Sequence, residues 1–192
     1  VTGVQTCALP IWKKSKGAAQ KRLFFESGLP KRAERGFCRV RNAKERGQNG
    51  MEKELLVRAS LTVEETEKAG EELAPLLEKG DFIALEGELG AGKTAFVRGI
   101  CRKFCPQARV CSPTYTVMRC YEGGICPFYH FDMYRITSPE DLESVGFYDC
   151  EGVIAAEWSE NTPYALPKRY YRVNIEKTAG GRRIAVFLHD GG

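Results

Sequence analysis

The sequence contains no run approaching ~18 consecutive apolar residues, so no transmembrane helix is expected. Histidine is scarce, with two in the chain, and no two of the eight cysteines form a C-x-x-C pair. A zinc site is therefore not expected. The cysteines (Cys7, Cys38, Cys101, Cys105, Cys111, Cys120, Cys126 and Cys150) are scattered, some of them within segments that read as core. Cys101 and Cys105, four apart on a helix, read as small buried apolar residues rather than ligands. Unpaired thiols in this number suit a reducing compartment, and a cytoplasmic location is expected. The N-terminus lacks the order of a secretory signal, because its basic residues follow its apolar ones instead of preceding them. No internal repeat is visible.

What is present falls into two unlike parts. At 192 residues the chain is long enough for one ordinary domain with an appendage, and 43% hydrophobic residues suffice for a core. Residues 1–50 carry 12 Lys and Arg against 3 acidic residues, a net +9, whereas residues 51–192 carry 17 against 22, a net −5. Apart from Leu23-Phe24-Phe25, the first part has no sustained apolar periodicity. One reading is a basic arm for RNA phosphates. The favoured reading is a disordered, non-native translated segment. Val1–Ile11 resembles translated sequencing-adapter read-through, and Met51 stands where an initiator would, directly before the first regular pattern. Residues 51–192 are expected to form the functional domain.

That domain is organised around Gly87-Glu88-Leu89-Gly90-Ala91-Gly92-Lys93-Thr94, which fits G-x-x-x-x-G-K-[ST], the phosphate-binding loop of nucleoside triphosphatases. Residues 81–86 form an apolar run of strand type, and residues 95–101 read as the helix that follows. The glycines let consecutive backbone N–H groups turn inward around a phosphate. The helix start adds free N–H donors and the positive end of its dipole. Lys93 supplies a cation for the β- and γ-phosphates, and the Thr94 hydroxyl is placed to ligate Mg²⁺.

Around this loop the chain reads in order. Residues 54–59 suggest a strand. Thr62-Val63-Glu64-Glu65 is a capping box that opens a helix to about Glu78, with Ala69, Leu73, Leu76 and Leu77 on its apolar side. Pro75 marks a kink or an early end, and Gly80 stops the helix. Residues 117–121 and 127–131 flank Glu122-Gly123-Gly124, which is hairpin chemistry. Ser138-Pro139-Glu140-Asp141 starts a short helix that ends near Gly146. Residues 152–157 form a buried-type strand, and residues 170–176 and 183–188 a C-terminal β-hairpin closed by Thr178-Ala179-Gly180-Gly181. Strands alternating with helices, then a hairpin, predict an α/β fold: a P-loop NTPase-like three-layer sandwich with a mixed, mainly parallel sheet.

Hydrolysis needs a carboxylate for the magnesium shell, a group that orients the attacking water, and usually a segment that senses the γ-phosphate. Asp132 and Glu157 each end an apolar strand, and parallel strand ends converge on the ligand edge. A solvated strand-end acid is the plain alternative for either. His130 is open to an acid–base role, a phosphate contact, or simple packing. Ser112, Thr114 and Thr116, with Tyr115 between them, form either a switch loop or a polar turn.

The order G-E-L-G-A-G-K-T, S-P-T-Y-T, H-F-D-M-Y-R, S-P-E-D-L-E-S-V-G and A-E-W resembles the bacterial TsaE family, formerly YjeE, over essentially all of residues 51–192. Those proteins are small ATPases required for the threonylcarbamoyladenosine (t6A) modification of tRNA. The resemblance implies ATP and Mg²⁺ as ligands, Lys93 and Thr94 as phosphate and magnesium residues, and Ser112–Thr116 as the switch-like loop. It implies Asp132 and Glu157 around the magnesium and in hydrolysis, and Trp158 as an aromatic beside the nucleotide. It also implies partnership with the TsaD–TsaB heterodimer, which modifies adenosine 37, and contact with tRNA through that complex. Two positions depart from the pattern. Ala95 stands where the family commonly has a second threonine, which predicts weaker nucleotide binding, and Ser159 stands where a proline often follows Glu-Trp. A small-molecule kinase and a nucleotide-dependent binding switch remain alternatives. The chain from Met51 has no long Arg-rich insertion between its helices of the kind a kinase lid would need, which weighs against the kinase.

Overall fold

The computed structural model describes residues 51–191; the expectation for residues 1–50 lies outside the described residues. A single seven-stranded sheet forms the centre, in the order β1-β7-β6-β2-β5-β4-β3. Its strands are β1 (Met51–Ser60), β2 (Phe82–Glu86), β3 (Met118–Tyr121), β4 (Phe128–Asp132), β5 (Val153–Glu157), β6 (Arg169–Thr178) and β7 (Gly181–Asp190). The helices are α1 (Val63–Leu73), α2 (Lys93–Phe104) and α3 (Pro139–Ser144). The four inner strands β6, β2, β5 and β4 pair in parallel. β1 and β7 on one side and β3 on the other join antiparallel. The sheet is therefore mixed, and β1, β2, β4, β5 and β6 all run the same way.

Alternation along the inner strands builds the three layers. In β2, Ile83 and Leu85 face the core shared with Ala69 and Leu73 of α1 and Phe96, Val97 and Ile100 of α2. Phe82 and Ala84 face the opposite core, with Phe131, Leu142 of α3 and Phe147. β2 is buried along nearly its whole length because helices cover both of its faces, as parallel strands require.

Local chemistry sets the boundaries. Thr62 caps α1 by accepting from the Glu65 N–H at 3.2 Å, while Glu65 reaches back to the Leu61 N–H at 2.6 Å, one residue before the position a capping box predicts. α1 ends at Leu73, and a 3-10 turn (Ala74–Leu76) carries Pro75, so the proline ends the helix short of the expected Glu78. Leu76 is consequently exposed rather than on the apolar side, whereas Ala69, Leu73 and Leu77 are buried. Ser138 and Asp141 form a complete capping box on α3. Cys101 and Cys105 are buried among the core side chains.

Candidate nucleotide site

The phosphate loop joins β2 to α2 at the C-terminal edge of the parallel strands. Its backbone takes the conformations the glycines allow: φ is +134° at Gly87, +73° at Gly90 and +110° at Gly92. The cradle is tight at its base, where a Cβ on Gly87 would lie 2.3 Å from the Ile175 carbonyl oxygen. Gly92 is the N-cap of α2, and no side chain caps that helix, so its first turn keeps N–H donors for an anion. Leu89 of the loop is exposed, while Ala91 and Ala95 are buried against the body of the protein.

Lys93 is buried and folds back on its own loop. Its ammonium donates to the Gly87 carbonyl at 2.5 Å and the Glu88 carbonyl at 3.1 Å, and sits 3.6 Å from the ring centroid of Trp158. Burial pushes the ammonium below its ordinary pKa range, against the opposing pull of the Glu157, Glu160 and Asp132 carboxylates. Trp158 is placed by a left-handed backbone (φ +60°) and by its N–H bond to the Leu85 carbonyl at 3.0 Å. Its indole also lies 5.2 Å from the Tyr134 ring.

The expected carboxylates converge. Register places Asp132 beside Glu157, and Glu157 beside Leu85 at the base of the phosphate loop. The Thr94 hydroxyl donates to Glu157 Oε1 at 2.7 Å, so residues 63 positions apart meet at one point. His130 Nε2 reaches the same oxygen at 2.8 Å. Asp132 is buried but turned aside, its Oδ1 accepting the Tyr134 N–H at 3.0 Å at the start of a 3-10 turn (Met133–Arg135). Ser112 and Thr114 bond each other at 2.7 Å, and the Thr116 and Val117 N–H groups both turn onto the Pro113 carbonyl. Tyr115 is 90% exposed at the tip. Val117, at φ +64°, ends this loop and accepts the Asp132 N–H at 2.9 Å, tying the loop by its backbone to the carboxylate strand.

Among the described residues no cluster of three or more His, Cys, Asp or Glu side chains is arranged to hold a metal ion. Magnesium does not need one, since it is held by one or two protein oxygens together with water and substrate phosphates. The Thr94–Glu157 pair beside an uncapped helix start fits that pattern, and the Gly87–Thr94 cradle fits a polyphosphate.

Two basic residues enter the site without a motif. Lys177 at the end of β6 donates to the Leu89 carbonyl at 2.7 Å. Arg182 of β7 lies against Gly92, with Nε 3.2 Å from where a Cβ there would sit. The parallel pairing of β6 with β2 brings the hairpin tip to the same edge as the loop. The basic pair around Thr178–Gly181 was the available signal, but its significance depends on that strand placement.

A family model described as "Threonylcarbamoyl adenosine biosynthesis protein TsaE" matches residues 60–184. The tRNA threonylcarbamoyladenosine biosynthesis protein TsaE of Rickettsia conorii is 36% identical over 128 residues, covering 65% of this chain and 73% of that protein. The protein of the same name from Treponema pallidum is 35% identical over 127 residues, covering 65% and 93%. For the Bacillus subtilis protein the figures are 34% over 125 residues, covering 65% and 79%. The crystal structure of Bacillus subtilis YdiB superposes with a TM-score of 0.60 at 29% identity, over 73% of this chain and 88% of that one. The chain belongs to the TsaE family.

Proposed function

We propose that this protein is a Mg²⁺-dependent ATPase of tRNA threonylcarbamoyladenosine biosynthesis, hydrolysing ATP to ADP and phosphate in association with the TsaD–TsaB heterodimer. The observation that carries the ATPase reading is the 2.7 Å bond from the Thr94 hydroxyl to Glu157 Oε1, which joins the end of the phosphate loop to a strand-end carboxylate. The pathway is supported by the family and by the names of the relatives.

The residues divide the work. N–H groups of the loop and of the first turn of α2 hold the phosphates, and Lys93 leaves the Gly87 and Glu88 carbonyls to meet the terminal one. The Thr94 hydroxyl oxygen would hold the metal while its O–H goes on donating to Glu157 Oε1. Magnesium, when bound, neutralises charge developing on the phosphate oxygens. Glu157 and Asp132 would hold the metal's water shell and orient the attacking water, and the Ser112–Thr116 loop would respond through its backbone tie to Asp132. Residues 51–192 carry a net −5 charge, so tRNA is met through the partners rather than by this domain.

Equilibrium binding of ATP in magnesium and in EDTA tests the site. Lys93→Ala should abolish binding, and Thr94→Val should remove the gain that magnesium gives. A Thr94→Val protein that keeps that gain contradicts the metal role. Phosphate transferred to a small metabolite instead of water would make the protein a kinase.

A further inference from the structure

His130 is wholly buried, at 0% exposure, yet one of its two nitrogens has no partner. It lies on β4 between Tyr129 and Phe131, which face the α3 layer, so alternation turns it with Phe128 toward α1 and α2. From a position in register with Ala155 it reaches along the sheet to Glu157. Glu157 Oε1 then accepts two hydrogen bonds, from the Thr94 hydroxyl at 2.7 Å and from His130 Nε2 at 2.8 Å.

The two contacts have a geometric consequence. The terminal torsion of a glutamate is broad and roughly two-fold, so the side chain alone does not fix which oxygen faces where. Two donors converging on Oε1 from opposite elements, α2 and β4, do fix it, and they leave Oε2 without a hydrogen-bond partner among the described residues. The tautomer follows from the same contacts. A carboxylate only accepts, so the bond requires the proton on Nε2. Nδ1 then buries an unmatched lone pair, whereas a proton there would bury an unmatched N–H and set two acceptors against each other.

Resting on the magnesium-dependent reading above, we propose that His130 is a positioning residue. Its Nε2–H clamps Glu157 Oε1 beside Thr94, so that the free oxygen is presented to the metal–phosphate side before any nucleotide arrives. It acts through Glu157 and touches neither phosphate nor metal. Residues in this supporting position typically change metal affinity or activity about 10–100-fold when removed.

The test compares two polar replacements of similar size in the full-length chain. Glutamine places an amide N–H where Nε2 stood, and asparagine places one where Nδ1 stood, too short to reach Glu157. Binding of a non-hydrolysable ATP analogue is measured with Mg²⁺ and with EDTA, with thermal melting to establish folding. His130→Gln should keep the magnesium-dependent gain in affinity within about twofold, and His130→Asn should lose about tenfold or more of it. Affinities in EDTA should be alike for all three proteins. Equal gains in the two variants, or loss of the gain in His130→Gln, overturn the proposal. If His130→Asn does not fold, the outcome for His130→Gln decides alone. Unsubstituted protein that gains nothing from magnesium overturns the metal reading itself, and His130's role with it.

Discussion

Lys93 is held by two carbonyls of its own loop and by the face of Trp158, so it must leave these contacts before it can meet a phosphate. In the proposed reaction the acids around it do the hydrolytic work, and each is separable by mutation. Glu157→Ala and Asp132→Ala are each expected to lower hydrolysis about 100-fold or more while nucleotide affinity in EDTA stays unchanged. Undiminished turnover in both would contradict a role for these acids in hydrolysis. Ala95, buried in the first turn of α2, lacks the hydroxyl that would donate to a phosphate. Ala95→Thr should tighten nucleotide binding by about 1–3 kcal/mol, the scale of one charge-assisted bond. An affinity unchanged in calorimetry contradicts that. Much of this site was legible in the sequence, because the phosphate loop and the strand-end acids Asp132 and Glu157 obey rules of spacing and position. The contact of His130 with Glu157 was not, since nothing in its neighbourhood along the chain says which residue lies across the sheet. Lys177 and Arg182 were hidden for the same reason.

Between α1 and α2 the packing rests on two glycines. A Cβ on Gly70 would lie 2.2 Å from the Phe96 carbonyl oxygen, and one on Gly99 would lie 1.9 Å from that of Glu67. Each helix thus presses its backbone against the other. Gly99→Ala should force the helices apart and cost about 3 kcal/mol, read as a lowered denaturation midpoint. A midpoint equal to that of the unsubstituted protein would show the contact to be compliant. The same interface carries Glu67, whose carboxylate accepts from both Arg98 and Arg102. Burial opposes its ionisation, but the two arginines together outweigh burial and hold its pKa below the usual range. The folded pKa is therefore below the unfolded value of about 4.3. The contribution is complete above that value and is lost as pH falls through the folded pKa. Glu67→Gln should cost about 1–2 kcal/mol at pH 7, given half-exposed arginines, and that cost should fade as pH falls through the lowered folded pKa. A cost that persists in acid would make it a packing effect. The helix caps were readable here, and Pro75 warned of the early end of α1. The close approach at Gly70 and Gly99 was not readable, because a glycine in a helix does not name its neighbour.

For the whole molecule, the alternation of strands and helices was sufficient for the three-layer α/β sandwich. It was not sufficient for the sheet order, in which β1 and β7 extend the parallel centre on the side of β6. Strand order follows from long-range pairings that no local pattern encodes. That order matters for function: it sets β2, β5 and β4 side by side, so that the phosphate loop, Glu157 and Asp132 share one edge. The most direct measurement is ATP hydrolysis by the protein alone and with the TsaD–TsaB heterodimer, with Lys93→Ala as the blank. Weak turnover alone that rises when the heterodimer is added is the expected result. Turnover indifferent to the heterodimer, or no Lys93-dependent turnover in either condition, would contradict a partner-dependent ATPase.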